Sequence, residues 1–256
     1  MSMVGLKPKN NKRPAGGPKI LCVIPARYGS TRLPGKPLIM IKNLPLVLWA
    51  YNRAVESGVF DAVCVATDDR RIFETVEKYG GSAIMTSERH ASGTDRVCEA
   101  ASGQPYNYIV NLQGDEPLVP AGLLTAMAAH ITDIDDNSLL TCVSNATIED
   151  KNNPNVVKVV CSANREALYF SRSPIPFDRD GHGAGALRHC GIYAFTKAGL
   201  TRLCGFEQGQ LEKAERLEQL RALERGMKVK CFFYDYRARG IDTKEDVETL
   251  RTMVEG

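Results

Sequence analysis

The sequence predicts an α/β protein: a mostly parallel sheet covered by helices on both faces, continued by a smaller mixed β arm. Three observations carry this. Short, almost wholly apolar runs recur from Ile20 onward, as strands buried on both faces require. Segments with helical apolar spacing separate them. After Ser138 the strand-like runs follow one another with little helix between. The composition of the 256 residues, 43% hydrophobic and 25% charged, excludes a disordered or fibrous chain. No apolar run approaches the roughly 18 residues of a membrane span. Nor does the N-terminus read as a secretory signal.

Each element follows from a local pattern. ILCVI (Ile20–Ile24) is a continuous apolar strand, and a Gly/Pro-bearing loop follows it. Pro45–Glu56 has helical spacing and ends at Gly58. Asp61–Thr67 is the second strand, with a helix around Asp69–Tyr79 stopped by Gly80-Gly81. Ser82–Met85 and Tyr108–Leu112 are further strands, and Ala121–His130 is a helix behind the latter. This alternation builds βαβ units. Beyond Ser138, LLTCVSNA, VVKVVCSA, ALYFSR and HCGIYAF read as strands, and Pro174–Ala186 as a mobile loop. Glu212–Glu224 reads as one amphipathic helix, Val229–Tyr234 as the last strand and Thr243–Val254 as a closing helix. Residues 1–19 are rich in Pro, Gly, Asn and Lys and are expected to form a flexible basic tail. We expect residues 20–256 to form one domain, with an inserted region at about 150–200.

The net charge of +3 is unevenly placed. Five cations and no acid lie in residues 1–19, which leaves −2 for the rest. A nucleic-acid partner therefore has no overall charge support. The eight cysteines are scattered over apolar stretches without a CxxC pair. Thiols placed so act as small core residues and fit a reducing cytoplasm.

The first chemical motif is Pro25-Ala26-Arg27-Tyr28-Gly29-Ser30-Thr31-Arg32-Leu33-Pro34-Gly35-Lys36-Pro37. It follows a buried strand, where open α/β sheets bind ligands. Two glycines, three cations and two hydroxyls suit a polyphosphate. It is not a Walker A loop, because Gly29 and Gly35 enclose five residues and Pro37 follows Lys36. The second motif is Asn111-Leu112-Gln113-Gly114-Asp115-Glu116-Pro117, also after a strand. Asp115 there is either a hard oxygen ligand for Mg²⁺ or a turn residue bonded to its own backbone. Asp242, in Gly240-Ile241-Asp242-Thr243, is open between a metal ligand and a helix cap. For Thr67-Asp68-Asp69, capping is the preferred reading. Arg172 and the Arg188-His189 pair are cations at strand ends that suit an anionic substrate. His189 reads equally as a hydrogen-bonded structural histidine.

Taken together, Pro25–Pro37, Ser92-Gly93-Thr94-Asp95-Arg96, Gln113–Pro117, Asn155-Val156-Val157-Lys158-Val159, Ala167–Arg172, Arg188–Tyr193, Leu217-Glu218-Gln219-Leu220-Arg221 and Gly240–Asp242 resemble the 3-deoxy-manno-octulosonate cytidylyltransferases. The resemblance covers everything but the tail. It implies a nucleotidyltransferase sheet, usually in a cytoplasmic homodimer. The inserted region would serve dimerisation and the sugar site. The implied reaction joins CTP to the acidic eight-carbon sugar Kdo for lipopolysaccharide biosynthesis, with Mg²⁺ as cofactor and pyrophosphate as product. By motif, Arg27, Arg32 and Lys36 would hold the CTP phosphates, and Ser92, Thr94 and Gln113 would face the cytidine. Asp115 and Asp242 would ligate Mg²⁺; Arg172, His189, Glu215 and Gln219 would line the sugar site. Arg32, Lys36, Asp115 and Asp242 would thus carry the catalysis. Two departures stand out: Ala214 where the family often has histidine, and a short loop at Gly181–Ala186. Two other readings remain open. One is a cytidylyltransferase for another acidic sugar, an amino-Kdo or a sialic-type acid. The other is a non-catalytic nucleotide-binding protein, which the retention of Lys36 with both aspartates argues against.

Overall fold

The computed structural model describes residues 17–29, 33–181 and 185–255. They fall into two units: one up to Thr125 and again from Ala238, the other Ala126–Arg237. No helix among the described residues is long and apolar enough to cross a membrane.

The first unit opens with β1 (Ile20–Ala26), buried over nearly its whole length. Lys19, which the sequence reading assigned to the tail, is already fastened. Its amide donates to Asn107 Oδ1, and its carbonyl accepts from the amides of Asn107 and Tyr108. Residues 1–16 of the predicted tail lie outside the described residues. A small hairpin, β2 (Met40–Ile41) and β3 (Leu44–Pro45), leads into α1 (Leu46–Ser57). That helix buries Leu46, Val47, Leu48, Ala50, Tyr51 and Ala54 and stops at a left-handed Gly58. Next come β4 (Ala62–Thr67) and α2 (Arg70–Lys78), whose N-cap Asp69 accepts from the Arg71 amide, as the capping reading expected. Then follow β5 (Ala83–Met85), α3 (Gly93–Ala101), β6 (Tyr108–Asn111) and α4 (Ala121–His130). The strands run parallel in the order β6-β1-β4-β5, as the βαβ rhythm requires.

In the second unit, β7 (Ser138–Asn145) is followed by a short α5 (Ile148–Asn152) closed by a Thr147–Asp150 capping box. The elements β8 (Lys158–Cys161), β9 (Ala167–Ser171), β10 (Leu187–Thr196) and α6 (Lys197–Cys204) come next. Part of the predicted loop at 174–186 lies outside the described residues. The chain then forms α7 (Gln210–Glu215), α8 (Gln219–Glu224) and β11 (Lys228–Phe233). Strand β7 pairs parallel with β11 and antiparallel with β10, which pairs antiparallel with β8, and β8 with β9. This is the predicted mixed arm.

The single helix expected over Glu212–Glu224 is two helices. Arg216 takes a left-handed conformation, φ 54°, and ends α7. A fully buried ion pair spans the break, with Arg221 Nε and Nη2 donating to Glu212 at 2.8 and 2.7 Å. Amphipathic spacing does not register such a corner, because its cause is a tertiary contact.

Helix α9 (Lys244–Glu255) returns to the first unit. Ile241, Val247 and Leu250 pack with Leu33, Ile41 and Leu46 in one buried cluster. Burying each such side chain is worth about 1.5–3 kcal/mol. Loop-closure cost grows only logarithmically with separation, so this cluster can hold the end of the chain beside its beginning.

Candidate active site

In the first unit the segment after β1 turns back on itself. Gly35 sits at φ 69°, and its amide donates to the Tyr28 carbonyl at 3.0 Å. A Cβ there would lie 3.2 Å from the Tyr28 ring, so the turn demands glycine. Arg71 stacks on the same ring, 3.5 Å from its centroid, and is itself gripped by Asp69. The turn delivers Lys36 into a 3₁₀ turn whose side chain points inward.

Lys36 Nζ donates to Asp115 Oδ2 at 2.7 Å and to Asp242 Oδ1 at 3.1 Å, across 79 and 206 residues of sequence. The Ile241 amide donates to the Asp115 carbonyl at 3.0 Å and ties the two aspartate segments together. Gly114 lets this segment approach β1, since a Cβ would lie 3.2 Å from the Pro25 carbonyl oxygen. Burial pushes the Lys36 ammonium down, but Asp115 and then Asp242 outweigh it, and its pKa is raised. Lys36 is therefore a fixed cation. Geometry bears on both alternatives left open by the sequence. The Asp115 carboxylate reaches Lys36, and the cap of α9 falls to Thr243, whose hydroxyl accepts from the Asp246 amide.

Thr94, buried in the first turn of α3, accepts from Asn111 Nδ2 at 3.3 Å, and Asn111 Oδ1 accepts from Gln113 Nε2 at 3.5 Å. Asn111 therefore joins two of the predicted cytidine-facing residues, a role the sequence reading missed. Its signal was available: a carboxamide ending an otherwise apolar strand. Ser92 caps α3, accepting from the Asp95 amide and donating to its carboxylate. Arg27 is exposed, and Arg32 lies outside the described residues.

The second unit brings its four predicted residues into two linked groups. Arg172 Nε donates to the Glu215 carbonyl at 2.8 Å and Nη1 to the Pro154 carbonyl at 3.0 Å. The Glu215 carboxylate accepts from the Arg172 amide and the Ser171 hydroxyl. In the other group, His189 stands against Phe170 and Tyr193, and the Tyr193 hydroxyl donates to Gln219 Oε1 at 2.9 Å. The buried Gln219 Nε2 has no hydrogen-bond partner. Such a donor is costly unless a ligand satisfies it.

His189 is not the cation that the sequence reading allowed. Burial lowers its pKa from 6.5 to about 3, so the ring is neutral. Its Nε2 lies 2.9 Å from Thr141 Oγ1, whose proton goes to the Ile192 carbonyl at 2.8 Å. Nε2 therefore carries the imidazole proton and donates to the hydroxyl. Among the four predicted sugar-site residues, Arg172 keeps the positive charge.

A parallel sheet with a basic strand-end turn, a fixed lysine and two converging carboxylates defines a nucleotide-handling α/β protein of the nucleotidyltransferase class. A family model described as cytidylyltransferase matches residues 21–229. A 3-deoxy-manno-octulosonate cytidylyltransferase of Thermodesulfovibrio yellowstonii is 47% identical, over 89% of this chain and 95% of its own. The protein of the same name from Syntrophobacter fumaroxidans is 42% identical, over 91% and 95%. A solved CMP:2-keto-3-deoxy-manno-octonic acid synthetase in complex with CTP superposes with a TM-score of 0.88 at 38% identity, covering 93% of this chain and 98% of that one. The chain belongs to the cytidylyltransferase family, among the 3-deoxy-manno-octulosonate cytidylyltransferases.

Proposed function

We propose that this enzyme transfers CMP from CTP to the anomeric hydroxyl of Kdo, forming CMP-Kdo and pyrophosphate for lipopolysaccharide synthesis, with Mg²⁺ held by Asp115 and Asp242. The convergence of both carboxylates on Lys36 carries the reading. The donor set suits the ion: Mg²⁺ takes one or two carboxylates and completes its shell with water and substrate phosphates. Among the described residues no cluster of three or more acidic, His or Cys side chains is placed to hold a metal ion. When bound, the ion would neutralise phosphate charge and make the attacking hydroxyl more acidic.

The protein's own groups do the rest. Lys36 offers a permanent positive charge to the triphosphate, with Arg27 and Arg32 assigned to the same task. Thr94 and Gln113, steadied by Asn111, are assigned to the cytidine, as is Ser92. On the sugar side, Arg172 supplies the planar fork that grips a carboxylate through two hydrogen bonds. Gln219 Nε2 supplies an unspent donor, and neutral His189 shapes the wall beside Tyr193. Glu215 holds Arg172 in place. No side chain is assigned as general base, since attack on the α-phosphorus needs alignment and charge neutralisation above all.

We further propose a cytoplasmic homodimer. The exposed Ile148, Leu168 and Phe177 of the second unit supply apolar surface for a second copy. The eight cysteines are present as thiols, which suits a reducing compartment. Pyrophosphate release should require CTP, Mg²⁺ and Kdo together, and a panel of acidic sugars tests the acceptor. Turnover of a sialic-type acid in preference to Kdo would replace the acceptor. Absence of turnover with every sugar would remove the catalytic reading. Sedimentation velocity tests the dimer.

A further inference from the structure

Lys158 lies in the middle of an apolar strand run, and its residue surface is 0% exposed. A buried ammonium normally finds a carboxylate or loses its proton. This one touches no carboxylate among the described residues. Its three donors go to backbone carbonyls: Asn153 at 2.9 Å, Val156 at 2.7 Å and Arg172. Those carbonyls come from two places. Asn153 and Val156 belong to the segment entering β8, and Arg172 follows the end of β9. Lys158 thus ties the entry of one strand to the exit of its neighbour, at the point where the Arg172 side chain leaves the sheet. In the β8–β9 pairing Lys158 lies opposite Ser171, the residue before Arg172.

Three other polar groups of Arg172 are held by α7 and by the segment entering β8. Its amide goes to the Glu215 carboxylate and its Nε to the Glu215 carbonyl. Its Nη1 goes to the carbonyl of Pro154, one residue beyond the first Lys158 acceptor. The carbonyl of Arg172 is the group that Lys158 holds. A leucine or methionine would fill the same apolar volume at far lower desolvation cost. The charge is best explained by its three directed bonds.

We propose that Lys158 is a positioning residue for the acceptor sugar: it fixes the backbone at Arg172 and so aims the guanidinium that binds the sugar carboxylate. This rests on the sugar-site reading above. An ammonium is well suited to the task, because it can donate to three carbonyls at once and has no acceptor function to satisfy. Its contact is with backbone, so the identity of the Arg172 side chain is untouched by it.

The test is steady-state kinetics of the full-length enzyme with CTP, Mg²⁺ and Kdo, comparing Lys158→Met and the milder Lys158→Gln with the parent. The KM for Kdo should rise about tenfold or more in Lys158→Met, the loss expected when a charge-assisted contact is misaimed. It should rise less in Lys158→Gln, which keeps two donors. The KM for CTP should stay within about twofold. The double variant Lys158→Met/Arg172→Lys should be no worse toward Kdo than the worse single variant, because both act through one contact. Equal loss for CTP and Kdo, or additive losses in the double variant, would overturn the proposal. A substrate-free readout separates this from failure of the sugar reading. The Arg172 amide should exchange hydrogen faster in Lys158→Met while the amides of β7 and β11 keep their protection. If the parent turns over no acidic sugar, the acceptor assignment fails; faster exchange confined to Arg172 then still upholds the clamp. Uniformly faster exchange, or failure of both variants to fold, would make Lys158 a general stability residue and end the proposal.

Discussion

Lys36 and Lys158 are both withdrawn from water, yet their surroundings treat the positive charge in opposite ways. Lys36 meets two carboxylates, and its pKa is raised despite burial. Lys158 hydrogen-bonds only to carbonyls, and burial lowers its pKa, with the nearby Arg172 charge adding to the effect and the more distant Glu215 and Asp150 opposing it. The contrast extends around each residue. In the first unit, opposite charges converge on one another. In the second, burial holds His189 neutral and pushes the Tyr193 hydroxyl far up. A polyphosphate with a metal ion demands fixed charges of both signs. A hydroxylated sugar with one carboxylate demands neutral, directed hydrogen bonds and a single cation. The two environments match those two demands.

The hardest test of this contrast falls on the carboxylates. Asp115→Asn or Asp242→Asn should lower kcat by at least about a thousandfold, the several kcal/mol that metal-assisted charge neutralisation supplies. CTP binding, measured calorimetrically, should persist in part, since the basic turn remains. A near-normal kcat in Asp242→Asn would reduce that residue to a partner for Lys36.

The neutral histidine gives the next largest effect. Between about pH 3 and 6.5 the unfolded chain protonates His189 while the folded one does not. The unfolded state then binds more protons, so stability rises with pH through this window and is lost as pH falls below 6.5. The loss should be about 2 kcal/mol between pH 6.5 and 5, at roughly 1.4 kcal/mol per pH unit. In His189→Gln the stability difference between those pH values, read by urea unfolding, should shrink by that amount. An unchanged pH dependence would mean that His189 is charged in the folded state.

Arg172→Lys keeps the charge and loses the fork. The KM for Kdo should rise about tenfold while the KM for CTP barely moves. A loss that fell on CTP instead would place Arg172 in the nucleotide site.

Legibility in the sequence followed the same division. The parallel strands of the first unit are continuous apolar runs; of the carboxylates that meet Lys36, Asp115 stands in the loop after β6 and Asp242 just before α9, which returns to this unit. Position along the chain was enough to nominate them. The helices α3, α5 and α6 were not foreseen, because each is short and starts at a Ser or Thr that reads equally as loop. The break between α7 and α8 was invisible, since the Glu212–Arg221 pair that spans it is a contact between side chains nine residues apart. Lys158 was visible only as a charge in an apolar run. Its purpose needed the three carbonyls, which belong to backbone and leave no mark on side-chain identity. The neutrality of His189 likewise depends on burial by residues from other strands.

The smallest predicted effect separates two adjacent residues. Asp242 and Thr243 both precede α9, and residue type alone makes either a good cap. In the structure the hydroxyl of Thr243 accepts from the Asp246 amide at 3.2 Å, and the Asp246 carboxylate accepts from the amides of Asp242 and Thr243 at 2.9 and 2.8 Å. The carboxylate of Asp242 reaches Lys36 instead. Replacing the cap hydroxyl leaves one helix N–H without its partner, which costs about 1 kcal/mol. Thr243→Ala should therefore lower the unfolding free energy by about that amount and leave kcat within about twofold. Asp242→Asn should do the reverse, sparing stability more than turnover. The amides held by Asp246 keep the backbone of Asp242 in place in either variant, so the two effects can be read independently. A large loss of kcat in Thr243→Ala would show that the cap and the carboxylate act as one unit.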